Sequence, residues 1–445
     1  MLIRFTVENF LSFHQRAEFN TIAFDKDGDS HHVVRHHLPQ PLNLLRTSVI
    51  YGANASGKSN LIKAMAFAKN FIVEGIEKHK NIKVHPFRLN PDCMQKPSRF
   101  EFEFCCSEKA YAYGFVLEKT RIVEEWLFDI SSDKQISIFE RREKLIGFNY
   151  AHAFFQNISD EDKRRLEFEA QSTRDNLLFL TNCQERNIIR FNIIYKWFRE
   201  TLIVIFPDSR NQSLVPLAKI NEDFFNQMLN FFDFGIKRIH IEQINLEQNK
   251  EIPNEIKEEI KADFPYGQDK TQFISLSDFN YVIQEDKHGD LKVSKMMAVK
   301  QDSSGQEVLF KLSEESDGTR RIIDLIPMLM ALYKNDAVVV IDEAERSLHA
   351  LLTRKLFDLF LNNEHFQGTK SQLIASTHEV SLLNLKKYFR KDEIWFVEKD
   401  ETGQSVLYSL AGADVDKLDL VKGYFSGRFG AIPFIADVHE LGWRE

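Results

Sequence analysis

Cysteine is scarce. The 445 residues hold four, Cys93, Cys105, Cys106 and Cys183, with no paired C-x-x-C spacing. That excludes a disulfide framework and a cysteine zinc site, and it fits a reducing cytoplasm. Long apolar runs are missing too. No stretch approaches the roughly 20 residues needed to cross a bilayer, so no membrane association is expected. The opening MLIRFTVENF alternates and carries an early acid, the pattern of a strand and not of a secretory leader. There is no cationic surplus: 58 Lys and Arg against 66 Asp and Glu leave a net charge of −8. This argues against indiscriminate nucleic-acid binding by the whole surface. No heptad repeat is sustained, which excludes a long coiled-coil arm. What is present is the 43% hydrophobic and 28% charged content of an ordinary globular chain, long enough for two or three lobes.

Against that background Gly52-Ala53-Asn54-Ala55-Ser56-Gly57-Lys58-Ser59-Asn60 stands out as a complete G-x-x-x-x-G-K-[ST] loop. Gly52 and Gly57 permit backbone angles that turn successive N–H groups inward as an anion nest. Lys58 is placed to reach β- and γ-phosphates, and the Ser59 hydroxyl to ligate Mg²⁺. The flanks agree. Thr47–Tyr51 reads as a buried strand, and Leu61, Met65, Ala68 and Ile72 recur at helical spacing, so a helix N-terminus faces the phosphates. Far downstream, Val338-Val339-Val340-Ile341 reads as a strand buried on both faces, ending in Asp342-Glu343. A carboxylate at such a strand end lies where open α/β sheets bind ligands. Asp342 is expected to hold Mg²⁺, and Glu343 to orient or deprotonate an attacking water. The plainer reading, an acidic start to the next helix, loses ground once the loop is paired with it. The cofactors implied are ATP and Mg²⁺.

Two further pieces are weaker by themselves. Ser316-Asp317-Gly318 precedes the helical pattern Ile322, Ile323, Leu325, Ile326. It offers a hydroxyl, a close-approach glycine and a helix N-terminus to a γ-phosphate, although such a stretch is usually just a cap. Leu373-Ile374-Ala375-Ser376-Thr377-His378 is an apolar strand ending in a histidine.

Together these pieces resemble ABC-type ATPases. Ser316-x-Gly318 resembles their signature loop, with Glu315 in place of leucine and Asp317 in place of glycine, and His378 resembles their switch histidine. Asn9-Phe10-Leu11-Ser12-Phe13 and the form G-x-N-x-S-G-K-S-N are similar to the branch related to chromosome-maintenance and recombination-repair proteins, with Ala55 where glycine is commoner. Ile341–His349, Asp392–Lys399 and Gly427–Pro433 resemble bacterial ATPases of abortive-infection systems, the AbiL/RloA type. The likeness spans roughly residues 1–130 and 300–445, with Asn176–Leu180 a looser match between. It implies an α/β P-loop NTPase fold: an ABC-ATPase head with an antiparallel β subdomain and a mainly helical insertion. It also implies a homodimer in which Ser316 and Gly318 of one copy complete the site of the other. In that site Gly52, Asn54, Ser56, Gly57, Lys58, Ser59 and Asn60 bind nucleotide, Ser59 and Asp342 hold metal, and Glu343 and His378 act in catalysis. Family membership implies a cytoplasmic phage-defence ATPase working with a separate, nuclease-like effector. The alternative is a DNA-binding repair or recombination ATPase. No glutamine is assigned to the magnesium-contacting loop of that family.

Along the chain, 1–150 reads as the N-terminal part of the head, with Phe100–Phe104 and Ala112–Leu117 as antiparallel strands. Residues 151–290 read as the helical insertion for partner or substrate specificity, and 291–445 complete the head. Only a short stretch follows His378, so no fused nuclease domain is expected. Arg141-Arg142-Glu143-Lys144 and Lys386–Lys391 are candidate basic patches, each read first as a solvated helix face because acids flank it. The histidines His31, His32, His36 and His37, near Asp27 and Asp29, read as a solvated loop before they read as a metal site.

Overall fold

The structure, a computed structural model, describes residues 1–24, 30–209, 214–263, 271–276, 279–286, 289–384, 388–411 and 420–425. Period-2 alternation builds its N-terminal part. β1 (Leu2–Glu8) buries Leu2, Phe5 and Val7 and pairs with β2 (Ala17–Asn20). A hairpin of β3 (Val33–His36) and β4 (Leu42–Leu45) leads to β5 (Thr47–Tyr51) and helix α1 (Lys58–Glu74). Then come β6 (Ser98–Cys106), β7 (Lys109–Leu117), β8 (Ile122–Asp129), β9 (Ile136–Arg142) and β10 (Leu145–Phe148). With β1 and β2 they form a seven-stranded antiparallel sheet ordered β10-β9-β8-β7-β6-β1-β2. The two strands read from the sequence are neighbours in it, with Phe102 opposite Tyr113. Phe100, Phe102 and Phe104 are fully buried, while Glu101 and Glu103 between them keep partial access to water.

Helices α2 (Asp160–Ser172), α3 (Phe179–Glu185) and α4 (Asn192–Lys196) follow, then β11 (Leu202–Ile205). The chain divides into two units. The first holds Met1–Pro207, Leu332–Glu345 and Leu356–Glu445; the second holds Asp208–Ala331 and Arg346–Lys355. The second unit covers much of 151–290, where helix prevails over strand, and adds a sheet that the sequence reading did not include. It does contain α5 (Leu214–Ile220), α6 (Glu222–Phe232) and α7 (Asn254–Asp263), the last two where helices were read. It also contains a five-stranded sheet of β12 (Arg238–Asn245), β13 (Thr271–Leu276), β14 (Phe279–Glu285), β15 (Leu291–Gln301) and β16 (Glu307–Lys311). The long β15 organises it: it pairs antiparallel with β14 and β16 in successive hairpins, and with β12 from farther along the chain. Helix α8 (Asp317–Lys334) runs from the second unit into the first.

The rest of the first unit is a parallel sheet. β17 (Val338–Ile341) lies between β11 and β18 (Gln372–Ser376); helix α9 (Ala350–Asn362) connects β17 to β18 along the chain. β5 sits between β18 and β19 (Ile394–Lys399), and β20 (Ser405–Ser409) closes the edge antiparallel to β19. The order is β11-β17-β18-β5-β19-β20. One apolar core joins the two larger sheets of this unit through α1: Phe5, Phe100 and Phe102, then Leu61, Met65 and Ile72, then Val338, Val340 and Ile374.

Several sequence readings change with burial. Arg141 is not on a solvated helix face; it lies in β9, fully buried beside Glu125 at 3.7 Å. His32 is buried with Nδ1 2.9 Å from both carboxylate oxygens of Glu393, and His36 Nε2 lies 3.0 Å from Met1 Sδ. Asp27, Asp29, Lys386, Lys387 and the Gly427–Pro433 motif lie outside the described residues. Among the described residues no cluster of metal-binding side chains occurs, all four cysteines are free, and no helix is long and apolar enough to cross a membrane.

Candidate functional site

β5 is buried at all five residues, is paired along both edges in the parallel sheet, and delivers the loop at its C-terminal end. Glycine is required at both ends of that loop. A Cβ on Gly52 would lie 2.3 Å from the Val397 carbonyl oxygen. Gly57 has φ +119°, and its Cβ would lie 2.1 Å from Ser405 Oγ. Ala55, where the resembling family carries glycine, adopts φ 63°. Lys58 opens α1 and curls back, its Nζ donating to the carbonyls of Gly52 at 2.7 Å and Ala53 at 3.1 Å. Desolvation pulls its pKa down to about 8, against the opposing pull of Glu345, Asp342 and Glu343. Ser56 Oγ is buried without a partner, a hydroxyl left for a ligand. Asn54 is exposed on the loop. Asn60 turns its amide to Ser12 Oγ at 2.8 Å, and Ser12 Oγ lies 2.7 Å from Ser405 Oγ, which in turn donates to the Ser56 carbonyl at 2.5 Å. Two remote segments, at Ser12 and Ser405, therefore brace the loop.

The acidic pair arrives on the neighbouring strand but one. Asp342 follows β17, is nearly fully buried, and accepts from Ser59 Oγ at 3.1 Å. A second hydroxyl, Ser376 at the end of β18, donates to the same carboxylate oxygen at 2.6 Å. Ser376 Oγ also accepts the Glu343 N–H at 2.8 Å. Glu343 has φ 50°, a left-handed backbone uncommon outside glycine and held here by those flanking bonds. His378 is exposed, and its N–H donates to Glu345 Oε1 at 2.7 Å. Partial desolvation, then the Lys58 charge, lower the His378 pKa, while Glu345, Glu343 and Asp342 oppose the shift. An imidazole so biased is neutral at pH 7 and able to accept as well as donate.

The fold thus brings Lys58, Ser59, Asp342, Glu343 and His378 into one electrostatic neighbourhood of the first unit. Ser316 and Gly318 belong to the second unit. There Ser316 is the N-cap of α8, its Oγ accepting from Thr319 N–H at 3.1 Å, and is exposed. A Cβ on Gly318 would lie 2.8 Å from the Ser347 carbonyl oxygen, so close backbone approach requires glycine. Glu315, in the family's leucine position, is buried and paired with Lys300 at 2.8 Å. Sequence reasoning missed the roles of Ser376, Glu345, Ser12 and Ser405. Ser376 had a usable signal, a hydroxyl residue two positions before the strand-end histidine. Ser405 had none.

Hard oxygen donors at Ser59 and Asp342, a desolvated ammonium and an unpartnered loop hydroxyl fit a magnesium–nucleotide. A family model described as "AAA domain, putative AbiEii toxin, Type IV TA system" matches residues 48–384. Among solved structures the chain is similar to the SMC head domain from Thermotoga maritima, at 10% identity and a TM-score of 0.37, covering 92% of this chain and 98% of that one. No curated protein matches.

Proposed function

This chain belongs to the AAA-domain family that carries the AbiEii and type IV toxin–antitoxin description, and from that premise we propose that it is an ATP-hydrolysing regulator of an abortive-infection system, of the AbiL/RloA type. The observation that carries the ATPase reading is the convergence of Ser59 and Ser376 on Asp342, with Glu343 next in the chain and Lys58 in the adjoining loop.

Lys58 leaves the loop carbonyls to neutralise β- and γ-phosphate charge, and the N–H groups from Gly52 to Ser59 line the remaining phosphate edges. Ser59 and Asp342 hold Mg²⁺, which when bound offsets charge on the phosphate oxygens. Glu343 orients or deprotonates the attacking water, and neutral His378 donates to the γ-phosphate. Ser316 and Gly318 of a second copy close the open side and exclude water. ATP then joins two copies and hydrolysis separates them, a switch that holds or frees a separate nuclease-like effector.

Two variants test the core of this reading. Lys58→Ala should weaken ATP binding by about tenfold or more, the loss of one or two charge-assisted hydrogen bonds at roughly 1.5–3 kcal/mol each. Calorimetry showing unchanged affinity would remove the loop assignment. Glu343→Gln should keep ATP binding and lose on the order of 10²–10⁴-fold in turnover, the usual weight of a general base.

A further inference from the structure

The end of β18 grips the acidic loop residue by residue. Ser376 Oγ donates to Asp342 Oδ1 at 2.6 Å and accepts the Glu343 N–H at 2.8 Å. The Ser376 carbonyl accepts the Ala344 N–H at 3.1 Å, and the His378 N–H donates to Glu345 Oε1 at 2.7 Å. Four consecutive residues, Asp342 to Glu345, are therefore positioned by one strand end. A serine hydroxyl has a single proton. With that proton on Asp342 and a lone pair taken by Glu343 N–H, its orientation is determined from both sides. The side chain is fully buried, so water is a poor substitute for either bond. The backbone it holds is the strained one, Glu343 at φ 50°.

We infer that Ser376 is a positioning residue for ATP hydrolysis, fixing the magnesium carboxylate of Asp342 and the backbone of Glu343 in one mutual geometry. The inference rests on the ATPase reading above. It differs from a simple strand-end cap, which would stabilise the fold without distinguishing magnesium binding from nucleotide binding. An outer-shell partner of a metal ligand typically changes metal affinity or activity by 10–100-fold.

The test uses the full chain as wild type, Ser376→Ala, Ser376→Cys and Ser376→Thr. A fluorescent ATP analogue is titrated in EDTA and again across a Mg²⁺ series, with ATP turnover and melting temperature measured in parallel. Ser376→Ala should bind nucleotide in EDTA within about twofold of wild type, require on the order of 10–100-fold more Mg²⁺ for its tight-binding step, and lose turnover by a similar factor with little change in KM. Ser376→Thr, which keeps the hydroxyl, should recover most of both. Ser376→Cys, near in size but a weak donor, should stay close to alanine and decides the matter if the added methyl of threonine is not accommodated. A wild-type Mg²⁺ dependence in Ser376→Ala or Ser376→Cys overturns the inference, as does an equal loss of EDTA binding and turnover. Absence of turnover in wild type would sink the ATPase reading separately, with the Mg²⁺ titration still deciding the role of Ser376.

Discussion

Lys58 shows what burial does to a functional charge. Its ammonium is held by two loop carbonyls in the absence of phosphate, and desolvation brings its pKa down to about 8 from 10.5. The sign of the consequence follows from proton linkage. Between those two values the unfolded chain still carries a proton that the folded chain has released, so the apo protein gains stability as pH rises through this window. ATP affinity runs the other way, because phosphate favours the charged amine and binding must take up a proton above pH 8. In EDTA, ATP affinity should be flat below about pH 8 and then fall by up to about tenfold per unit, a trend absent in Lys58→Ala. Isothermal calorimetry in two buffers of different ionisation enthalpy reads the proton uptake directly; equal heats at pH 9 would contradict it. The identities of Gly52, Gly57, Lys58 and Ser59 were legible as residues because each has a local chemical task. The bracing serines were not. Ser12 and Ser405 act only by meeting each other and the loop across the fold.

At the scale of elements, the looser motif Asn176–Leu180 gains a physical role. Glu125 on β8 is fully buried and accepts the N–H groups of Phe179 and Leu180 at 2.7 and 3.1 Å and the Tyr113 hydroxyl at 2.9 Å. Arg141 on β9 donates to the Leu177 carbonyl at 2.7 Å. A buried acid and base on adjacent strands thus cap the start of α3 and dock it on the antiparallel sheet. Burial raises the Glu125 pKa, and Arg141 with the N–H donors opposes that shift. Glu125→Ala strips the partner from a buried guanidinium and from two helix N–H groups. It should cost roughly 3–5 kcal/mol in urea unfolding, the usual penalty for breaking a buried pair; a loss under about 1 kcal/mol would mean that the pair is dispensable. The antiparallel strands were readable from alternation, and α1 from its 3.6-residue period. β12 to β16 were not read: β12 meets β15 only across a long stretch of chain, and the hairpins from β13 to β16 mix polar with apolar residues.

For the whole molecule, the proposed dimer makes a separate prediction. Glu343→Gln at saturating Mg·ATP should double the mass seen by light scattering, and Lys58→Ala should remain at the mass of the apo protein. A Glu343→Gln variant that stays monomeric would defeat the intersubunit role given to Ser316 and Gly318 while leaving ATP binding untouched. Ser316 is exposed and caps α8, so its side chain is available to a second copy as well as to its own helix.

The chain alone determined that a P-loop, an acidic strand end and a strand-end histidine exist, because each depends on chemistry packed into a few consecutive residues. It also determined the α/β character of the head, through strand and helix periods on either side of that loop. Only the tertiary structure decided which hydroxyls hold the carboxylates, that Arg141 and His32 are buried partners and not surface charge, and that β12 joins the hairpins of the second unit in one sheet. Those outcomes depend on pairs of residues tens to hundreds of positions apart, whose contact free energy exists only once the strands have assembled.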